Sequence, residues 1–232
     1  MHRRVYEIWK SIGLKYFWGD KFDSRFYIAF LIENNKKENI VDIGCGAGVL
    51  LNFAKSNVKI GLDISWDSLK TAKKSNPDLQ LLNADSRFLP LRESFCSTIL
   101  AMHIISALEK KDDRLKIMTE MNRICANNCE ILITGANRRS KHFKNIYSEE
   151  YNKNYTRFSE ITQFFKENFS VRVEGYGPFS KTFMFPIKLV YKIPDKVIEL
   201  LKIDQLIFRL LKSKKYLKDG RSYVIQCTRD NL

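Results

Sequence analysis

Residues 40–48 are Ile40-Val41-Asp42-Ile43-Gly44-Cys45-Gly46-Ala47-Gly48, an apolar run that ends in three glycines at every second position. The apolar residues after the third glycine predict a helix. Glycines at a strand-to-helix turn let the backbone bend tightly and bring its N–H groups close to a ligand, and the N-terminus of the helix adds partial positive charge. The pattern therefore indicates a turn that binds a nucleoside-like cofactor.

A second motif strengthens this interpretation and limits the kind of cofactor. The next apolar run, residues 58–63, ends in Asp63, where a carboxylate can accept both hydroxyls of a ribose. A dinucleotide fingerprint has its third glycine at the sixth position, which is Val49 here, whereas the third glycine of this chain comes one residue earlier, at Gly48. The spacing favours a cofactor without a pyrophosphate.

These residues resemble the class I S-adenosylmethionine-dependent methyltransferases, whose first motif is similar to residues 41–48. The resemblance continues in unbroken order over roughly residues 38–135, through Gly61-Leu62-Asp63-Ile64-Ser65, Asn83-Ala84-Asp85, Leu89-Pro90-Leu91, Ile99-Leu100-Ala101-Met102-His103 and Glu130-Ile131-Leu132-Ile133-Thr134. Several linked motifs in order are more specific than any one of them. The resemblance implies S-adenosylmethionine as the cofactor and methyl transfer as the reaction.

Apolar runs alternate with amphipathic stretches in the order of a parallel sheet with crossover helices. The pattern predicts strands at 40–44, 58–63, 79–83, 98–103, 129–134, 171–174 and 223–227. It predicts helices at 48–56, 66–75, 111–126 and 157–168. The resemblance implies that the seven strands form one Rossmann-like α/β sheet, mostly parallel with an antiparallel last strand, and with helices on both faces.

Two segments lie outside the cofactor-binding core. We expect a helical N-terminal cap at 1–37, the core at 38–174 plus 222–232, and a helical insertion or lid at 175–221. The family usually joins its last two strands by a short connection, whereas this insertion is long and rich in Phe, Ile and Leu. Its apolar stripe at helical spacing, edged by lysines, predicts a subdomain packed on the sheet. Residues 183–212 could instead, or in addition, contact a membrane surface or an apolar substrate.

The resemblance also implies roles for individual residues. It assigns to the cofactor Asp42, Gly44, Cys45, Gly46, Gly48, Asp63, Ile64, Ala84, Asp85 and Ser86. Asp42 would lie near the amino-acid end of the cofactor, in contact directly or through water, and Asp63 would hold the ribose hydroxyls. Asp85 would face the adenine amino group, with Ala84 or Ser86 offering backbone contacts. The alternative for Asp85 is a residue that only caps a turn.

The reaction asks little of side chains, because positioning the acceptor can supply most of the catalysis of an in-line methyl transfer. A base is needed only when the acceptor must lose a proton. His103, at the C-terminal end of the fourth strand, is the best-placed titratable candidate, and a packed or hydrogen-bonded histidine is the alternative. His142 is a second candidate, and Tyr16 and Trp18 are candidates for the acceptor pocket by position. Ser106-Ala107 stands where relatives often have histidines or Glu-His, which removes another candidate acid or base.

Composition limits the remaining properties. A length of 232 residues with 44% apolar content fits one well-buried α/β domain plus an appendage. Five cysteines, an odd number without paired close spacing, predict reduced thiols in a cytosolic protein, and Cys125 and Cys129 lack the further ligands of a metal site. The charged N-terminus is unlike a signal peptide and no segment reaches transmembrane length, so we expect a soluble cytoplasmic protein that could lie at a membrane surface.

The net charge of +14 fits an anionic partner such as RNA or lipid headgroups, and equally a solvated lysine-rich surface. Three hypotheses for the function follow. The first is an enzyme that methylates a small, lipid-like or quinone-like molecule, which the apolar insertion favours. The second is an RNA methyltransferase, because the charge is high and the core also resembles the tRNA wobble-uridine methyltransferases. The third is a partner subunit that binds S-adenosylmethionine without turnover.

Overall fold

The structure, a computed structural model, describes residues 32, 37–136, 158–176, 212–213 and 222–229. The strands are β1 (Lys37–Ile43), β2 (Ser56–Asp63), β3 (Gln80–Asn83), β4 (Cys96–Met102), β5 (Cys125–Ala136), β6 (Ser170–Tyr176), β7 (Lys212–Ser213) and β8 (Ser222–Thr228). The helices are α1 (Trp66–Ser75), α2 (Ile104–Ala107), α3 (Lys111–Ile124) and α4 (Phe158–Phe165), and a 3-10 turn covers Leu50–Asn52.

All eight strands form one mixed sheet in the order β3-β2-β1-β4-β5-β8-β6-β7. The first five of these are parallel, and β8 runs antiparallel between β5 and β6. The chain moves outward from β1 to β3 and then returns to β4 on the other side of β1. Doubly wound sheets bind ligands at such a reversal, beyond the carboxyl ends of the strands. The predicted Rossmann-like α/β fold is confirmed.

The core lies between the sheet and α3 and α4. On one face of the sheet, Ile99 and Ile131 are fully buried, as are Ile117 and Met121 of α3 and, within 1%, Phe165 of α4. Alternate residues of a strand point to the same face. Leu100 and Leu132, on the opposite face, are equally buried, so both faces of these strands are covered and pairing with the neighbouring strands sets the register. The register in turn brings the carboxyl ends of β1 to β4 together at one edge.

Most predicted elements are confirmed within a few residues, and α1 has the predicted bounds. The helix predicted at 48–56 is wrong, since only the 3-10 turn Leu50–Asn52 forms. Two constraints shorten it. Gly48 has a φ of 68°, outside the helical region, and β2 begins at Ser56 rather than at the predicted Val58. The connection between them has room for one turn only.

The helical insertion predicted at 175–221 is wrong at its described positions. Gly175 and Tyr176 end β6, and Lys212–Ser213 forms the short strand β7, which pairs with them in antiparallel fashion. The open edge of β6 presents backbone N–H and C=O groups that this pairing satisfies. The rest of the insertion lies outside the described residues, as does the predicted cap at 1–37 apart from residue 32 and the first residue of β1. In the described part of the chain no helix has both the length and the apolar content needed to span a bilayer.

The predicted reduced state of Cys125 and Cys129 is also wrong, because a disulfide joins the two sulfurs. Pairing between β4 and β5 passes from Cys96 opposite Cys125 directly to Thr98 opposite Glu130, so β5 carries a bulge between its two cysteines. Their Cα atoms lie 5.6 Å apart, whereas four residues of regular strand span about 13 Å. The bulge therefore creates a pairing that the spacing in the sequence does not indicate.

Candidate cofactor site

The glycine turn that follows β1 lies at the carboxyl edge of the sheet. Gly44, Gly46 and Gly48 have φ values of 73°, 54° and 68°, a backbone region that costs roughly 1–2 kcal/mol for a residue with a Cβ atom. A Cβ atom at Gly44 would lie 3.0 Å from Ile104 Cδ1, and one at Gly48 would lie 2.9 Å from Leu79 Cδ1. At Gly46 a Cβ atom would meet nothing within 4 Å. A ligand can therefore approach the backbone closely at Gly46.

The backbone N–H groups of this turn are used inside the protein. Gly44 and Cys45 donate to the carbonyl oxygen of Leu62 at 2.7 and 2.9 Å, and Gly46 donates to Asp63 Oδ2 at 2.8 Å. Three N–H groups of the turn are thus paired within the protein, and a 3-10 turn replaces the predicted helix that follows it. The turn contributes shape and an open backbone surface instead.

Asp63, the last residue of β2, connects the glycine turn to α1. Its Oδ2 accepts the N–H of Gly46, and its Oδ1 accepts the N–H of Ser65 at 2.8 Å. A carboxylate oxygen has two acceptor positions. Among the described residues, one position on each oxygen of Asp63 has no hydrogen-bond donor. Two neighbouring hydroxyls, as in a ribose, can fill these two positions.

Asn83, the last residue of β3, fixes the backbone that follows Asp63. Its side-chain amide donates to the carbonyl oxygens of Asp63 and Ile64 at 3.0 and 2.9 Å. The Ala84 N–H donates to the same carbonyl oxygen of Asp63 at 3.2 Å. Ile64 is held with its side chain 73% exposed, which leaves an apolar surface beside the carboxylate. We predicted no role for Asn83 from the sequence, although an amide at the end of a strand was an available signal.

Two carboxylates flank the turn and set its electrostatics. Asp42 is buried at the end of β1, and Asp63 ends the neighbouring strand. Burial raises the pKa of the Cys45 thiol to about 12, and the negative charges of Asp42 and Asp63 add to the shift. Cys45 is therefore a neutral thiol, packed against Gly61, and not a nucleophile. The same negative field attracts a cationic ligand and repels a pyrophosphate.

Asp85 lies in the loop after β3, and Arg87 binds its carboxylate. Arg87 Nε donates to both oxygens at 3.0 Å, Nη2 donates to Oδ2 at 2.6 Å, and the backbone N–H of Arg87 donates to Oδ1 at 2.9 Å. The side-chain hydrogen bonds, and then the backbone one, hold the pKa of the Asp85 carboxyl below its usual range. Asp85 thus caps its own turn, with Ala84 and Ser86 half-buried beside it.

His103 follows β4 with left-handed backbone, at a φ of 61°. Its N–H donates to the carbonyl oxygen of Thr134 at 3.0 Å, and its carbonyl oxygen accepts the Ser106 hydroxyl at 3.2 Å. The neighbouring Ile104 side chain fills the space beside Gly44, so His103 lies next to the glycine turn. Left-handed backbone is uncommon outside glycine, although histidine adopts it more readily than most residues, and such positions cluster at functional sites.

The residues predicted from the sequence meet at one edge over β1, β2, β3 and β4. His142, Tyr16 and Trp18 lie outside the described residues, as does most of 183–212. In the described ranges no group of three or more His, Cys, Asp or Glu side chains is arranged to hold a metal ion. Fold and site together define a doubly wound α/β domain whose ligand site, at the reversal of strand order, favours a cationic ligand over a pyrophosphate.

Comparison with known proteins specifies this class further. Residues 40–128 match the family described as a methyltransferase domain. The chain is 32% identical over 106 residues to the tRNA (carboxymethyluridine(34)-5-O)-methyltransferase of Arabidopsis thaliana, covering 46% of this chain and 26% of that protein. It is 30% identical over 101 residues to the malonyl-[acyl-carrier protein] O-methyltransferase of Hamiltonella defensa, covering 43% and 38%. The chain thus covers less than half the length of these two relatives.

The whole fold also has a solved counterpart. It is similar to N-methyltransferase NodS from Bradyrhizobium japonicum, whose structure is a complex with S-adenosyl-L-homocysteine, with a TM-score of 0.62, 10% identity, and coverage of 99% of this chain and 98% of that one. Residues 40–128 thus match a methyltransferase domain, and the chain has the fold of solved methyltransferases.

Proposed function

We propose that this chain transfers the methyl group of S-adenosylmethionine to a small acceptor of lipid-like or quinone-like chemistry. Asp63 is the observation that carries the cofactor half of the proposal, because it is fixed by two backbone N–H groups and keeps an acceptor position on each oxygen. The apolar composition of 175–221 supports the acceptor half.

Each residue at the edge has a part in holding the cofactor. Asp63 accepts the two ribose hydroxyls, and the exposed Ile64 side chain contacts the base. Asp42 places negative charge near the amino-acid end, while Gly46 lets the ligand reach the backbone. Asp85 accepts a hydrogen bond from the adenine amino group. When bound, the cofactor supplies a methyl group already activated by its sulfonium.

His103 acts as the general base when the acceptor must lose a proton. It lies at the end of β4, beside the glycine turn, and its backbone is held by Thr134 and Ser106. Asparagine tolerates left-handed backbone, so His103→Asn is expected to preserve the fold. Loss of a general base lowers kcat by about 10²–10⁴-fold. An unchanged kcat would leave His103 a packing residue.

An RNA acceptor is the second candidate. The Arabidopsis relative is a tRNA methyltransferase by name, and the chain carries a net charge of +14. Binding to RNA through lysines and arginines weakens steeply with salt. This candidate therefore requires binding to tRNA at low salt that is lost as salt is raised.

One assay separates the candidates. The full chain is incubated with S-adenosylmethionine labelled on its methyl group, once with a lipid and quinone extract and once with bulk tRNA. Label in the extract alone supports the small acceptor, and label in the tRNA overturns it. Binding of S-adenosylhomocysteine without transfer to either would favour a partner subunit without turnover.

We also propose a cytoplasmic location with contact to a membrane surface through residues 183–212. Lysines at the edge of an apolar stripe support this contact, although the Cys125–Cys129 disulfide removes one of the arguments for the location. Co-sedimentation with anionic phospholipid vesicles tests the contact. Failure to bind them at low salt would exclude it.

A further inference from the structure

One polar face of α3 holds the loop between β3 and β4. Glu120 Oε2 accepts the backbone N–H of Leu89 at 2.7 Å. Arg123 Nη1 and Nη2 donate to the carbonyl oxygens of Leu91 and Leu89 at 2.7 and 3.0 Å, and its Nε donates to Glu120 at 2.7 Å. Side chains three or four residues apart share a helix face. The loop therefore gains from α3 the backbone partners that the short strand β3 cannot offer it.

Arg87 continues this attachment toward the carboxyl edge of the sheet. Its Nη1 donates to Asp113 Oδ1 of α3 at 3.0 Å, while its Nε and Nη2 are used on Asp85. The guanidinium therefore bridges two carboxylates, one on the loop and one on the helix. Lys116, one turn further along α3, places its Nζ 5.9 Å from the centre of the Phe88 ring. The residues that follow Asp85 are thus fixed to a packed helix.

We propose that Arg87 is a positioning residue for adenine recognition, holding the Asp85 carboxylate in one orientation against α3 so that its remaining acceptor position faces the adenine amino group. This inference rests on the proposed function, in which Asp85 contacts that amino group.

The geometry explains why Asp85 needs such a partner. Both residues are partly exposed, with side chains 28% and 38% accessible for Asp85 and Arg87, and an exposed carboxylate on a loop samples several rotamers. Three N–H groups of Arg87 bind the two oxygens, because the Nε–H is shared between them, so one of the four acceptor positions remains. The remaining acceptor position of Asp85 has a fixed direction. A fixed acceptor distinguishes an amino group from a carbonyl oxygen better than a mobile one does.

The test compares two ligands that differ only along one edge of the base, at the group that Asp85 is proposed to recognise and at the proton on the neighbouring ring nitrogen. S-adenosylhomocysteine has the adenine amino group, and S-inosylhomocysteine has a carbonyl oxygen in its place. We expect the wild-type chain to prefer the former by about tenfold or more, as for a charge-assisted hydrogen bond. Arg87→Met is expected to bring the two dissociation constants, measured by calorimetry, to within about twofold of each other.

Three further variants sharpen the result. Arg87→Lys keeps the charge without the planar fork and should restore part of the preference. Asp113→Asn removes only the anchor on α3, and we expect a loss of preference of about threefold. Arg92→Met is the matched control, because it makes the same change in the same loop, at an exposed residue that contacts the Phe95 ring at 5.7 Å; its preference should match the wild type.

The possible outcomes separate this inference from the function on which it rests. Equal weakening of both ligands by Arg87→Met would mean a merely structural role and would overturn the inference, as would an unchanged preference, while cofactor binding would stand. If the wild-type chain binds neither ligand, the proposed function fails and takes the inference with it. Should Arg87→Met not fold, the partial loss expected of Arg87→Lys and Asp113→Asn decides the question.

Discussion

The two halves of the proposed nucleoside site are built in different ways. At the ends of β1 and β2, the ribose half consists of backbone, with glycines in left-handed conformations and N–H groups that fix Asp63. After β3, the adenine half consists of charged side chains, with Arg87 holding Asp85 and α3 holding the loop. Backbone shape tolerates little change, whereas an ion-pair network can be weakened in steps.

The sheet accounts for this difference. β1 and β2 are both paired on two sides, and the glycine turn follows the end of β1 at once. β3 is an edge strand of four residues, Gln80–Asn83, followed by a twelve-residue connection to β4. Such a loop cannot be positioned by strand pairing, so long side chains from a helix position it. We therefore expect substitutions in the ribose half to act sharply and those in the adenine half to act gradually.

The largest effect is expected for Asp63→Asn, in the ribose half. The amide keeps the size of the side chain, but it removes the charge and replaces one oxygen acceptor by a donor. Since hydrogen bonds to charged groups contribute roughly 1.5–3 kcal/mol each, we expect the dissociation constant for S-adenosylhomocysteine to rise about 10²–10³-fold. Calorimetry measures it. Asp67→Asn is the control, since Asp67 is 92% exposed and pairs only with Lys70 among the described residues, and a loss of less than tenfold at Asp63 would contradict the ribose role.

The second effect separates shape from ligand contact within the glycine turn. Gly48→Ala introduces left-handed strain and places a Cβ atom 2.9 Å from Leu79 and 3.2 Å from Ala72, so we expect a loss of about 3 kcal/mol in the free energy of unfolding. Gly46→Ala introduces similar strain in open space and should lose only about 1 kcal/mol. Urea denaturation measures both.

Ligand binding should show the opposite order. At Gly46 the added methyl group enters the space through which a ligand reaches the backbone, so Gly46→Ala is expected to weaken S-adenosylhomocysteine more than Gly48→Ala does in its folded fraction. Equal effects of the two variants on both properties would mean that the open side of the turn is not the binding side.

A third change, Gly61→Ala, tests whether side-chain packing behind the glycine turn holds the ribose half in place. A Cβ atom at Gly61 would lie 2.8 Å from Cys45 Sγ and 2.9 Å from Leu81 Cδ2. Overpacking of this kind costs about 2 kcal/mol of stability. Because the sulfur is the nearest of three obstacles, which include Leu51 Cδ1 at 3.2 Å, Cys45→Ala should recover about half of the loss caused by Gly61→Ala in the double variant. If Gly61→Ala and Cys45→Ala destabilise the protein additively, Cys45 Sγ does not crowd a Cβ atom at residue 61.

Much of this arrangement was open to prediction. The apolar runs predicted the strands and their parallel sheet, and Asp63 contacts the glycine turn beside which the motif placed it. Three features depend on contacts between distant parts of the chain. Arg87 and Asp113 are 26 residues apart, β7 forms only because β6 has an open edge, and the Cys125–Cys129 bond needs a bulge that is defined by pairing with β4. Local spacing carries no signal for any of them.

The smallest effect concerns acid, and it belongs to the adenine half. Hydrogen bonds from Arg123 and the Leu89 N–H lower the pKa of Glu120, and those from Arg87 lower that of Asp85. A carboxyl whose pKa is lower in the folded state stabilises the fold above its unfolded pKa, and this contribution is lost as pH falls through the folded value. We expect losses of less than about 1 kcal/mol for the Glu120–Arg123 pair, beginning below about pH 4.

Urea unfolding between pH 6 and pH 3, at low and high salt, measures this effect. The variant Glu120→Gln should lose stability at pH 6 and show a flatter pH dependence than the wild type. A pH profile that is identical in the two proteins would mean that the pair contributes nothing to holding the loop.

The most direct test of the central claim is a calorimetric competition between S-adenosylhomocysteine and NAD⁺ on the wild-type chain. Two carboxylates beside a glycine turn with an open backbone at Gly46 are suited to a nucleoside without a pyrophosphate. S-adenosylhomocysteine should therefore bind with one site per chain, and a large excess of NAD⁺ should leave its dissociation constant unchanged. Absence of heat with S-adenosylhomocysteine, or its displacement by NAD⁺, would contradict the assignment of this edge as a methyltransferase cofactor site.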